Sequence, residues 1–276
     1  HGKSRMNNYL LYEKSYLNPV FFCIILMPIF FGFLVPLLYI INNVIANFYD
    51  YNFNDLFKLT ANTTHVGLIS SFLIVLISFY LLKIKRLIKN IYVNNILKVI
   101  TTGYAIPGAV IGLSLMLFIR FFDLPFLMGT LYLLIYAYIF RFMSVAIFPI
   151  QSSLDRQPMI FDQQAKSLNS SYLKIFSKIT YPLNKNALLS AFILVFIDIV
   201  KELPITLILR PFNFETLATQ TYIYASEERL AFSSLFSLII IICCSIMLIY
   251  VTAILNRKNV SKIKKYFKNL QFKTCY

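Results

Sequence analysis

Charge is scarce in this sequence: Asp, Glu, Lys and Arg make up 13% of the 276 residues, while hydrophobic residues make up 59%. No soluble domain of ordinary composition fits those proportions. Histidine is nearly absent, with only His1 and His65. An intramembrane hydrolase or lipid transferase needs a nucleophile with its base, or acids and histidines gathered at one depth. Two histidines and one acid within an apolar run, Asp198, do not supply that set. His65, beside a helix start, has no second His, Asp or Glu at ligand spacing and is read as a cap or an exposed side chain. The phosphate-cradling pattern G-x-x-x-x-G-K-[ST] is missing throughout, so the chain has no nucleotide site of that kind. Cysteine forms no framework: Cys23, Cys243 and Cys244 lie in apolar runs and Cys275 in the polar tail, which predicts free thiols. Ten-residue alternating strands are lacking as well, which argues against a barrel.

What the sequence does have is apolar runs long enough to cross about 30 Å of hydrocarbon as helix. Six are expected, at roughly 20–41, 64–82, 96–119, 126–148, 186–209 and 231–254. The fold class predicted is an all-α integral membrane protein of six transmembrane helices. The net charge of +15 follows the same pattern. With the N-terminus in the cytoplasm, twenty Lys and Arg fall inside and five outside (Lys58, Arg120, Lys201, Arg210 and Arg229), while Arg141 lies within a span. Seven of the eleven acids fall outside. The positive-inside rule therefore puts both termini in the cytoplasm, and the bilayer rather than nucleic acid accounts for the basic character. KIKRLIKN (83–90) reads as a lipid-contacting anchor.

Within the spans, GYAIPGAVIG (103–112) predicts a kinked helix. Pro107 removes a helical hydrogen bond, and Gly108 and Gly112 form a small face for close helix packing or for contact with a substrate. Arg141 and Asp198 are natural partners for each other, since a charge at bilayer depth costs at least about 2.5 kcal/mol unless it is satisfied. Backbone, water or another subunit would be the alternatives. Neither residue sits at relay spacing with a second acid, so a proton-driven, ATP-independent secondary carrier gains little support. In KELPITLILRP (201–211), Pro204 is expected to break the fifth helix, bracketed by Lys201, Glu202 and Arg210. The following FNFETLATQTYIYASEERL predicts a re-entrant or surface helix.

The longest polar interruption runs from about 149 to 185. Phe161, Ala165 and Leu168, and then Tyr172, Ile175, Phe176 and Ile179, keep a helical period, so two short amphipathic helices are expected. Asn169-Ser170-Ser171 breaks them and Pro182 ends the second. The spacing of Gln163, Gln164, Ala165, Asn169, Ile179, Tyr181 and Pro182 resembles the E-A-A, three residues, Gly, nine residues, Ile-x-Leu-Pro signature of the inner-membrane subunits of bacterial binding-protein-dependent ABC importers. Ala165, Ile179 and Pro182 match it outright. The run VFIDIVKELPITLILRPFNFETLATQTYIYASEERL (195–230), and GYAIPGAVIG before it, resemble the ferric-iron permeases of that superfamily.

The resemblance implies the type I importer fold, with residues 1–276 forming one transmembrane half and Gln163, Gln164, Ala165, Leu168, Asn169, Ile179 and Pro182 meeting an ATPase. It implies no cofactor on this chain, with ATP and Mg on separate ABC ATPase subunits. Implied partners are a periplasmic substrate-binding protein and a second permease half or copy. Localisation would be the bacterial inner membrane, and the cargo ferric iron, with thiamine or another small solute as the alternative. The sequence opens HGKSRMNN, so either Met6 is the start or the chain is part of a longer one. The resemblance to a C-terminal half favours the second.

Overall fold

The computed structural model describes residues 19–87, 90–157 and 176–271, and within them every regular element is helical. Helices α1 (Pro19–Ile29) and α2 (Val35–Ala46) are joined by a π-helical turn at Phe30–Leu34. They are followed by α3 (Phe53–Leu87), α4 (Ile91–Thr102), α5 (Gly108–Phe121), α6 (Leu131–Asp155), α7 (Tyr181–Val200), α8 (Pro204–Leu209), α9 (Leu217–Ser226) and α10 (Leu230–Gln271). Five stretches are long and apolar enough to cross a membrane: Cys23–Ala46, Phe53–Arg86, Leu131–Asp155, Tyr181–Val200 and Leu230–Ala253. The α4–α5 pair supplies a sixth.

That pair is not the kinked helix expected from Pro107. The axes of Ile91–Ala105 and Gly108–Phe121 diverge by 115°. Proline biases the residue before it toward extended backbone, and Ile106 is extended, with φ −79° and ψ 129°. The chain therefore leaves the helix completely before α5 begins.

Two contact sets decide whether such a bent pair crosses the bilayer or returns to its starting side. Ser78 Oγ donates to the Met143 carbonyl at 3.5 Å, and the Arg86 guanidinium donates to the carbonyls of Leu154 and Gln157. Residue numbers rise together, so α3 and α6 are parallel. The chain must then travel from the C-terminal end of α3 to the opposite end of the bundle before α6 starts. Thus α4 and α5 together make one broken span. Helix α7 runs against both: Lys83 Nζ donates to Thr180 Oγ1 at 2.8 Å near one end, and Gly67 faces Phe196 toward the other.

Helices α3, α6 and α7 form the centre. Ile74, Leu134, Ala137, Ala146, Ile150, Ala191 and Val195 are completely covered there. Lipid tails are as apolar as leucine, so association inside a bilayer depends on close packing by small residues. Gly67 illustrates the demand, since a Cβ there would lie 2.8 Å from the Phe196 ring. By contrast, the side chains described on α1 and α2 are largely exposed, as a lipid-facing flank requires. This flank is attached to α10 through Asn43 Nδ2, which donates to Ser234 Oγ at 3.2 Å.

Three expected boundaries change. The polar interruption was expected from residue 149, but Pro149 lies inside α6, which continues to Asp155. Burial of Ile150 and Leu154 holds that last turn against the hydrogen bond lost at proline. The fifth run, expected unbroken to 209 apart from Pro204, ends as α7 at Val200, and Pro204 opens a separate α8. The stretch after it becomes α9, capped by the Thr216–Thr219 box and packed through Leu217 against Leu59 and Phe236. It is therefore a packed helix rather than a surface one.

Candidate functional site

Helix breaks leave backbone groups without intrahelical partners, and in a bilayer each such group costs several kcal/mol. Two of the interruptions among the described residues lie close together, at Ile106–Pro107 and at Lys201–Leu203. One side chain from α6 links the two. Arg141 Nη1 donates to the Ile106 carbonyl at 3.1 Å, while its Nε lies 3.5 Å from Glu202 Oε2. Glu202 in turn accepts from the Ile205 backbone N–H at 3.3 Å, one of the orphan donors in the first turn of α8. The guanidinium also lies 5.6 Å from the Phe142 ring centroid and 6.0 Å from that of Tyr104. These contacts are within cation–π reach.

This arrangement replaces the expected Arg141–Asp198 pair. Asp198 instead bonds Lys201 Nζ at 2.7 Å, three residues on. The physical reason is the end of α7 at Val200. Once the helix stops, Glu202 turns back toward α6, while Lys201 stays at the helix C-terminus, where a cation is favoured by the dipole.

Glycine makes the close approach possible. A Cβ on Gly108 would lie 2.6 Å from both Arg141 Nη1 and Glu202 Oε1, and one on Gly112 would meet three atoms of Ile208 at 3.2 Å. The small face of α5 thus seats α8. A second polar link joins α6 to the same break: Thr206 Oγ1 donates to the Glu202 carbonyl at 2.9 Å, leaving Tyr138 as the donor in the 2.5 Å Tyr138–Thr206 bond. Both residues are buried.

Of the residues singled out from sequence, Pro107, Gly108, Glu202 and Pro204 come together here. Asp198 and Lys201 sit beside them at the end of α7. Arg210 stands apart, paired with Glu215. That pair belongs to a lattice in which Glu215 also accepts from Thr219 at 2.8 Å and Asn62 reaches the Glu215 carbonyl at 3.0 Å. Gln163, Gln164, Ala165, Leu168 and Asn169 lie outside the described residues. Ile179 falls in a π-helical turn (Phe176–Thr180), and Pro182 occupies the first turn of α7, where its missing N–H costs nothing. It starts this helix, whereas the sequence reading had it ending one.

The central role of Arg141, the participation of Tyr138, Tyr104 and Thr206, and the amides Gln157 and Asn184 were not anticipated. A lone arginine within an apolar run is a signal in its own right, but its partner depended on where α7 stopped. Among the described residues, no three His, Cys, Asp or Glu gather within reach of one metal ion.

Comparison with known proteins points one way. The family model described as "Binding-protein-dependent transport system inner membrane component" matches residues 87–264, well over half of the chain and all of the elements around Arg141. The Fe(3+)-transport system permease protein FbpB 2 of Haemophilus influenzae is 28% identical over 139 residues, which are 50% of this chain and 27% of that relative. The similarity thus covers only about a quarter of that relative's length.

Proposed function

The chain belongs to the inner membrane components of binding-protein-dependent transport systems, and from that premise we propose that it forms one half of the path of an ATP-driven ferric-iron importer. The multi-pass helical bundle fits the family, and the 139-residue similarity to a ferric-iron permease carries the cargo assignment. In this reading ATP and Mg are held by separate ATPase subunits. Cargo arrives on a periplasmic binding protein, and a second permease half or copy completes the path. In this reading both ends of the chain face the cytoplasm, the side that the excess of Lys and Arg favours.

The interrupted helices suit such a path. Irregular backbone is tolerated at membrane depth where protein or a wet cavity satisfies it, and here Arg141 and Glu202 provide that satisfaction. The segment around Ala165 would present an amphipathic helix to a groove on the ATPase. Closure of the paired ATPases would then draw the transmembrane halves between inward- and outward-open states.

Two measurements test the reading. Deleting the full-length gene should impair growth under iron limitation and leave thiamine requirement unchanged; the reverse pattern reassigns the cargo. In the assembled complex, Ala165→Glu should bury an unpaired charge at the ATPase contact and overpack it, costing about 1–3 kcal/mol or more. ATPase co-purification and uptake should fall at normal membrane abundance, whereas Asn169→Gly should be tolerated and Asn169→Val should uncouple. Wild-type behaviour of both Ala165→Glu and Asn169→Val removes the coupling role from this segment.

A further inference from the structure

At the C-terminal end of α3 three helix ends converge, and the contacts there are polar. Gln157, just past α6, and Asn184, in the first turns of α7, bond each other twice. Gln157 Nε2 donates to Asn184 Oδ1 at 2.9 Å, and Asn184 Nδ2 donates to Gln157 Oε1 at 3.3 Å. The second Asn184 amide hydrogen goes to the Thr180 carbonyl at 2.8 Å. Asn184 is fully buried and Thr180 nearly so. From α3, Lys83 binds the Thr180 hydroxyl at 2.8 Å, and Arg86 binds the carbonyls of Leu154 and Gln157, where the α6 dipole favours a cation.

A buried amide pair is an expensive way to join two helices if packing is all that is required, because either partner left alone costs its full desolvation. What an amide pair adds over apolar contact is a single register. Gln157 and Asn184 also bracket the chain between α6 and α7, the stretch that holds Ala165. We propose that Gln157 and Asn184 are positioning residues: a clasp that closes the base of that stretch, so that a load applied to it moves α3, α6 and α7 as one body instead of prying α6 and α7 apart. This inference rests on the coupling reading above.

The test uses the complete complex in nanodiscs, with Cys23, Cys243, Cys244 and Cys275 replaced by serine and nitroxides at Asp155→Cys and Lys185→Cys, two exposed positions flanking the clasp. Electron–electron distance distributions are recorded without nucleotide and with ATP–vanadate. With the clasp intact, one narrow distance is expected in both states. With Gln157→Leu plus Asn184→Leu, ATP–vanadate should broaden or split the distribution although the ATPase stays bound and active. The exchanged pair, Gln157→Asn plus Asn184→Gln, should narrow it again, a rescue that a purely space-filling role does not give. If the leucine pair fails to accumulate, Gln157→Ala, at a half-buried position, carries the same expectation. A distribution that stays narrow without the amides, with the ATPase bound and hydrolysing, overturns the clasp alone. Absence of any ATPase on the wild-type complex overturns the coupling reading and the clasp with it.

Discussion

Glu202→Leu is expected to destabilise the protein by about 3–5 kcal/mol, because removing one member of a buried ion pair strands the other. Side-chain exposure at this pair is 18% for Arg141 and 7% for Glu202, so the guanidinium left behind has little access to water. The Ile205 N–H at the start of α8 loses its acceptor in the same substitution. Thermal unfolding of the detergent-solubilised chain should show a large downward shift. Arg141→Met should cost a comparable amount, since it strands the more buried Glu202 carboxylate and removes the bond to the Ile106 carbonyl. The double variant should be more stable than Glu202→Leu alone, because no unpaired charge remains; the double-mutant cycle then reads the coupling directly. Additive single effects would mean that the two groups do not interact. Uptake by the complete complex should stay low in the double variant even where stability returns, since the two helix breaks are no longer tied.

Gly108→Val is the second large effect. Its Cβ would stand 2.6 Å from Arg141 Nη1 and 2.6 Å from Glu202 Oε1, with Ile205 Cγ1 at 3.2 Å, so both charged groups must retreat together. Overpacking of this kind costs about 1–3 kcal/mol, and losing the contact between Arg141 and the Ile106 carbonyl adds to it. Helix propensity gained on replacing glycine is under about 1 kcal/mol and smaller still at a helix start, so it does not offset the clash. Gly32 provides the control: nothing lies within 4 Å of its Cβ direction, and Gly32→Ala should stay within about 0.5 kcal/mol of wild type. The same unfolding measurement compares the two. Equal midpoints for Gly108→Val and wild type would show that α5 does not pack here as described.

Much of the architecture was written in composition. Unbroken apolar runs of about 20 residues without strand alternation point to spanning helices, which bond their backbone polar groups within the segment. Pro107, Gly108, Glu202 and Pro204 could be picked out by the same logic, since proline, adjacent glycine and charge inside apolar runs all carry a cost that needs an explanation. Their partners were less legible. Asp198 looked like the natural counter-ion for Arg141 because both lie within spans, yet a helix that stops two residues before Glu202 lets the more distant acid reach across. The Gln157–Asn184 pair left no trace at all, since amides at the edges of apolar runs are ordinary in sequence and become informative only when they meet.

The sequence by itself thus determined a membrane protein of helical spans, lacking a phosphate loop, with its basic residues segregated to alternate loops. These are properties of composition and period, which act locally along the chain. Tertiary structure alone decided that α4 and α5 are two halves of one crossing, because only the parallel contacts of α3 with α6 show which end of the bundle the chain must reach. It likewise decided that one arginine links the two helix breaks, bonding the carbonyl of the first and pairing with the acid that serves the second. A guanidinium pairs with whatever carboxylate and carbonyl packing brings within about 3 Å, and that distance is set by where three helices end relative to one another.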